Sequence, residues 1–169
     1  VRWAPEAGDH RVFTGDHNLL DSWVRDIALG PDGVVYVATE LGLSAYDGET
    51  WEHAPLAEGE NSSSVWQLAG GRDHELWLVG LFDVWRYEGE EWVPYTPPAA
   101  EGSGADYIRA FAVGTDGSLW CATATGVLMY SGAGWERILT EDGHEPGGVH
   151  NFSFGPDGSV WAATEFGVL

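Results

Sequence analysis

Apolar and polar residues alternate along this chain in short runs, and no stretch holds the 3.6-residue period of an amphipathic helix. In the first clear unit the runs are WVRDIAL (23–29), VVYVAT (34–39), LSAY (43–46) and WEHA (51–54). Turn chemistry separates them: Pro31-Asp32-Gly33, then Asp47-Gly48, whose glycines tolerate the positive φ of tight hairpins. The pattern predicts four antiparallel strands, each one hairpin from the next.

The unit then recurs. GPDGVVYVAT (30–39), GRDHELWLVG (71–80), GTDGSLWCAT (114–123) and GPDGSVWAAT (155–164) align, and their anchors Tyr36, Trp77, Trp120 and Trp161 lie 41, 43 and 41 residues apart. A second aromatic column follows at Tyr46, Tyr87 and Tyr130, and a third at Trp51, Trp92 and Trp135. Four up-and-down strands at this spacing predict an all-β fold, a β-propeller of four-stranded antiparallel blades. A sandwich would not keep turns and aromatics in register over several periods. The expected blades cover about 21–56, 63–97 and 106–140, with a fourth made from 147–169 plus 1–14. Trp3 fits the Tyr46 column and His10–Thr14 matches Trp92–Thr96, so the fourth blade is split between the two ends.

The pattern V-x-x-(I/L/F)-A…P-D-G-x-(L/V)-W-x-x-T-x-x-G-(L/V)-x-x-Y-x-G-x-x-W resembles the two-component-regulator propeller repeat over nearly the whole chain. In that family such blades form extracytoplasmic sensor regions of bacterial hybrid histidine kinases. The resemblance therefore implies a non-catalytic bacterial sensor module outside the membrane. The G-P-D-G-x-(L/V)-W stretch alone is also similar to the streptogramin lyase family. That likeness implies an enzyme with a histidine, carboxylates and a divalent cation at the channel mouth, where His150 is the only first-strand histidine. The Y-x-G-x-x-W signature fits the regulator-type repeat better.

Charge narrows the partners. Seven Arg and no Lys stand against 27 Asp+Glu, a net charge of −20. Nucleic acid and anionic membrane surfaces are excluded as partners. No apolar run approaches the length of a membrane-spanning helix, so no membrane insertion is expected. One cysteine, Cys121, rules out an intrachain disulfide framework and reads as an inert buried thiol. The start VRWAPEAGDH is neither a signal nor a transit peptide, and there is no initiator Met. The chain reads either as a piece of a longer repeat array, natural or engineered, or as one whose split blade acts as a clasp. One copy closing as a four-bladed ring and two copies exchanging half-blades as an eight-bladed homodimer are both open.

Columns that repeat report packing, so the informative columns are those that vary. One step along the first strand stand Arg25, Trp66, Arg109 and His150, and next to them Asp26, Gln67, Ala110 and Asn151. Just before that strand come Trp23, Ser64, Tyr107 and Gly148. The tight-turn face offers little material for a site. The opposite, loop-rich face adds Glu40-Leu41, Leu81-Phe82, Ala124-Thr125, Glu165-Phe166 and the acidic connectors 55–63, 96–106 and 140–148. Arg25, Trp66, Arg109, His150, Trp23, Tyr107, Phe82 and Phe166 are therefore the candidate ligand-binding residues at the channel mouth. A small polar ligand or a protein partner is expected there. No catalytic residue and no cofactor are expected. His17, His144 and His150 lie near carboxylates, but no metal-ligand motif joins them and no metal is expected.

Overall fold

The computed structural model describes residues 2–4, 9–54, 65–71, 75–89, 91–98, 107–144 and 146–169. Within them three four-stranded antiparallel sheets follow one another along the chain. The first comprises β3 (Val24–Leu29), β4 (Val35–Thr39), β5 (Gly42–Tyr46) and β6 (Trp51–His53). The second comprises β7 (Gln67–Gly70), β8 (Leu76–Val79), β9 (Val84–Tyr87) and β10 (Trp92–Pro94). The third comprises β11 (Ile108–Val113), β12 (Leu119–Thr123), β13 (Val127–Tyr130) and β14 (Trp135–Ile138). A three-stranded sheet of β15 (Val149–Phe154), β16 (Val160–Thr164) and β17 (Gly167–Val168) closes the series. At the start, β1 (Arg2–Ala4) and β2 (Asp9–Arg11) pair as a separate hairpin, followed by one 3-10 turn at Gly15–His17. Among the described residues no helix is long and apolar enough to cross a membrane.

The turn residues act as their chemistry requires. Gly33, Gly117 and Gly158 take φ of +81°, +89° and +84°, the left-handed region a Cβ disfavours. Asp32, Asp116 and Asp157 accept backbone N–H bonds two residues on, from Val34, Ser118 and Ser159. At the other end of the second strand, the Thr39, Thr123 and Thr164 hydroxyls donate to the carbonyls of Gly42, Gly126 and Gly167. Tyr46 and Tyr87 likewise donate to Gly48 and Gly89 in the third-to-fourth-strand turns.

In one such turn Asp47 accepts from the backbone N–H groups of Thr50 and Glu49, both at 2.7 Å. These donors, Thr50 first, hold its carboxyl below the ordinary carboxylate range. A group depressed in this way stabilises the fold above its unfolded pKa and loses that contribution as pH falls through the lower folded value. Asp47→Asn is expected to lower the urea midpoint at neutral pH. In strong acid it is expected to change nothing, because the wild-type carboxyl is already protonated there.

Each sheet packs face to face on the next. Tyr36, Ala38 and Leu43 of the first meet Leu68, Leu76, Leu78, Trp85 and Trp92 of the second. Trp77, Val79 and Val84 of the second meet Phe111, Leu119, Cys121 and Leu128 of the third. Ala110, Ala122 and Val127 of the third meet Val149 and Phe152 of the last sheet. Cys121 is buried, as expected. The anchor column departs from expectation at its last member. Trp161 is exposed because, among the described residues, no further sheet lies beyond it.

Candidate functional site

The first strand of a sheet breaks register at one place. Val24 pairs with Thr39 and Asp26 with Ala38, which leaves Arg25 as the extra residue of a β-bulge. The same shift isolates Arg109 in the third sheet and His150 in the last. In the second sheet Trp66 stands just before β7, held by its N–H on the Val79 carbonyl at 3.0 Å. A bulge bends the strand and re-aims one side chain out of the alternation, which turns Arg25, Arg109 and His150 aside, while Trp66 packs partly against the core between the second and third sheets.

Three of its members then converge. Arg25, Trp66 and Arg109 line one cleft of about 510 Å³ together with Glu40, Leu81 and Ile108. That volume suits a small molecule. Trp66 is fixed by its indole Nε1–H, which donates to the Gly80 carbonyl at 2.8 Å. The guanidinium of Arg25 is hydrogen-bonded and ion-paired to Glu40. Arg109 lies over the Tyr107 ring at 5.2 Å, donates to the Tyr107 hydroxyl at 2.8 Å, and reaches Glu165 at 3.6 Å. Its Nε atom is buried and has no hydrogen-bond partner among the described residues.

Gly148 explains how Glu165 comes to this position. Its φ is +66°, and an added Cβ would meet the Glu165 Cγ at 3.2 Å. The Glu165 N–H also donates to the Gly148 carbonyl at 3.2 Å. The variation Tyr107/Gly148 within one column thus serves a neighbouring arginine and its carboxylate partner.

The other predicted residues lie elsewhere. Trp23, Phe82, His150 and Phe166 are exposed and do not line this cleft. The second variable column, expected beside the first as lining, is used partly as structure. Asp26 accepts from the Leu68 N–H at 2.8 Å and Gln67 donates to the Phe111 carbonyl at 3.1 Å, each tying one sheet to the next. Connector acids Glu58, Glu60, Glu101, Asp106 and Glu145 lie outside the described residues, as do Ser64 and His74. No three His, Cys, Asp or Glu side chains converge among the described residues. His17 instead accepts from the Thr14 N–H at 3.2 Å and packs edge-on against Phe13.

The tight-turn face is less bare than expected. A cleft of about 420 Å³ opens there between the second and third sheets, around Arg86, Glu75, Asp116 and Ser118. Arg86 lines it, near the Trp77 and Tyr95 rings and paired with Glu88 at 2.9 Å and Glu75 at 3.4 Å.

No family model and no curated protein matches the chain. Solved structures do. The extracellular domain assigned to the hybrid two component system BT4673 from B. thetaiotaomicron superposes with a TM-score of 0.72 at 17% identity, over 96% of this chain and 23% of that one. The corresponding domain of BT3049 from the same organism gives 0.69 at 20% identity, over 95% and 23%. The fold is that of part of these extracellular domains, and it agrees with the propeller blades that the repeat implies. Virginiamycin B lyase from Staphylococcus aureus shares the architecture less closely, with a TM-score of 0.59 at 14% identity over 86% of this chain and 54% of that one. The chain spans under a quarter of the length of the two extracellular domains and about half that of the lyase.

Proposed function

We propose that this propeller module is a non-catalytic receptor for a small, neutral, polar ligand at the cleft between Arg25, Trp66 and Arg109. The observation that carries this reading is the convergence, on one cleft, of one first-strand column from three successive sheets. Each cleft arginine already has a carboxylate, Glu40 or Glu165, so the lining is nearly charge-balanced although the chain carries −20. Such a lining offers alternating donors and acceptors around an indole edge, which suits hydroxyl groups better than an anion. A rigid set of blades would present these groups, and exposed Phe82 and Phe166 on the same loop-rich face would extend the surface toward a larger ligand or protein. The shared fold with extracellular domains of two component systems supports an extracytoplasmic sensory role. His150 stands outside the cleft, which supports a binding reading over lyase chemistry.

Thermal-shift titration with neutral mono- and disaccharides tests this. Saturable stabilisation is expected, weakened roughly 10- to 100-fold by Arg109→Ala or Trp66→Ala. No saturable shift with any neutral polyol or sugar would remove the reading.

A second reading, a blade set that assembles with itself, is favoured by a separate observation. Apolar residues stand uncovered on the outward faces of both the first and the last sheet, Ile27 and Leu29 on one, Trp161 and Val168 on the other.

A further inference from the structure

We infer that these two faces are the halves of one heterologous interface, through which two copies of the chain close an eight-bladed ring. This deepens the assembly reading and rests on it. The interface is already drawn three times inside the chain. Positions equivalent to Ile27 are Leu68, Phe111 and Phe152, exposed by 6%, 3% and 9%, whereas Ile27 is 62% exposed. Positions equivalent to Trp161 include Tyr36 and Trp77, at 5% and 3%, whereas Trp161 is 54% exposed. Each uncovered side chain therefore has, in its own repeat column, relatives buried by a neighbouring sheet. What covers Leu68 is the sheet carrying Tyr36, so what fits Ile27 is a sheet carrying Trp161.

The N-terminal segment marks where that sheet belongs. Tyr95, just past β10 of the second blade, packs edge-on against Tyr130 of the third at 5.7 Å. Phe13, which matches Tyr95 in the repeat, packs on Tyr46 at 5.1 Å and on Trp51 at 5.5 Å. Phe13 thus occupies the outer part of a blade preceding the first one. The β1–β2 hairpin pairs Trp3 with His10, the register of Tyr87 with Trp92. Meanwhile β16 pairs with β17 only through Ala163 and Thr164, with Leu169 bonded to Ala162. Its edge at Val160 and Trp161 lies where β12 carries Tyr130 and Met129. The β1–β2 hairpin and the three-stranded last sheet together supply the strands of one blade.

A second copy is the occupant. The three internal interfaces are packed, yet with them formed Ile27 and Trp161 stay uncovered, so the chain in this arrangement does not cover its own two faces. Two copies joined twice make eight blades, within the usual range, whereas three copies would exceed it.

Native mass spectrometry of the 169-residue chain tests this. The expected mass is twice the 18.3 kDa of one chain. Ile27→Glu and Trp161→Glu are each expected to weaken association at least about 100-fold, since each puts a charge into the centre of the interface. Mixing the two variants is expected to restore a dimer, because one of its two interfaces is then free of both substitutions. A monomer at all concentrations would overturn both the pairing and the assembly reading. A dimer unaffected by either variant, or by only one of them, would overturn the pairing and leave self-association standing. Circular dichroism confirms that each variant folds. Leu29→Glu and Val168→Glu replace any that does not.

Discussion

Trp77→Ala is expected to remove about 3–5 kcal/mol of stability, whereas Trp161→Ala, at the same place in the repeat, is expected to change that of the single chain by less than about 1 kcal/mol. Both residues hold the second position of the second strand of their sheet. Trp77 is almost fully buried, edge-on to Tyr95 at 5.1 Å and tilted against Phe111 at 6.2 Å. Truncation there opens a cavity that close-packed neighbours cannot fill, and it also strips one ring from beside Arg86. The Trp77 Nε1 atom is buried without a partner among the described residues, so its removal offsets part of the cost and favours the lower end of the range. Trp161 loses only a hydrogen bond to Ser159. Urea unfolding at concentrations where the chain is monomeric would measure both. Equal losses would mean that the last sheet is covered as the others are.

Asp26→Ala is expected to cost about 1–3 kcal/mol. One carboxylate oxygen accepts from the Leu68 N–H in the next sheet at 2.8 Å, and the other accepts from the Ile27 N–H at 2.8 Å. The first bond spans 42 positions of sequence, so it fixes how two blades meet rather than how one strand runs. Removing the side chain strands the Leu68 N–H beside a buried leucine, where no water readily replaces the lost acceptor. Asp26→Asn, which keeps one carbonyl acceptor, is expected to recover part of the loss. A chemical-denaturation series of wild type, Asn and Ala checks the order. An Ala variant as stable as wild type would show that the inter-blade tie contributes nothing.

Much of the architecture was legible in local chemistry. Pro-Asp-Gly and Asp-Gly turns need only neighbouring residues to form, and Thr39, Thr123 and Thr164 bond within three residues of themselves. Their repetition therefore announced both the strands and their order. The repeating aromatics announced packing for the same reason, since a column buried in one blade is buried in the next wherever a next blade exists. The varying column was legible as a place where packing does not dictate identity. Its cause was not. The bulge that isolates Arg25, Arg109 and His150 arises from a register slip between two strands, and nothing in the run VRDIAL marks which residue is the extra one.

The cleft was legible only in part. Arg25, Trp66 and Arg109 line it, Tyr107 stands beside it against Arg109, and His150, Trp23, Phe82 and Phe166 do not share it. Membership depends on how far each blade is rotated from its neighbour, a quantity set by side-chain volumes across the sheet interfaces. The pairing of Arg109 with Glu165 crosses from the third sheet to the last and depends on the backbone of Gly148, which lets the carboxylate approach. That Asp26 and Gln67 tie one sheet to the next was not legible, because a polar residue beside a channel and one bridging two backbones look alike in a sequence.

Strand order, turn type and the all-β architecture followed from residues acting on near neighbours, through φ preference, short hydrogen bonds and the two-residue period of burial. The cleft, the arginine–glutamate pairs and the difference between Trp77 and Trp161 did not. Those rest on contacts between residues tens of positions apart, whose energies depend on which sheet lies against which, and so only the packed blades decided them.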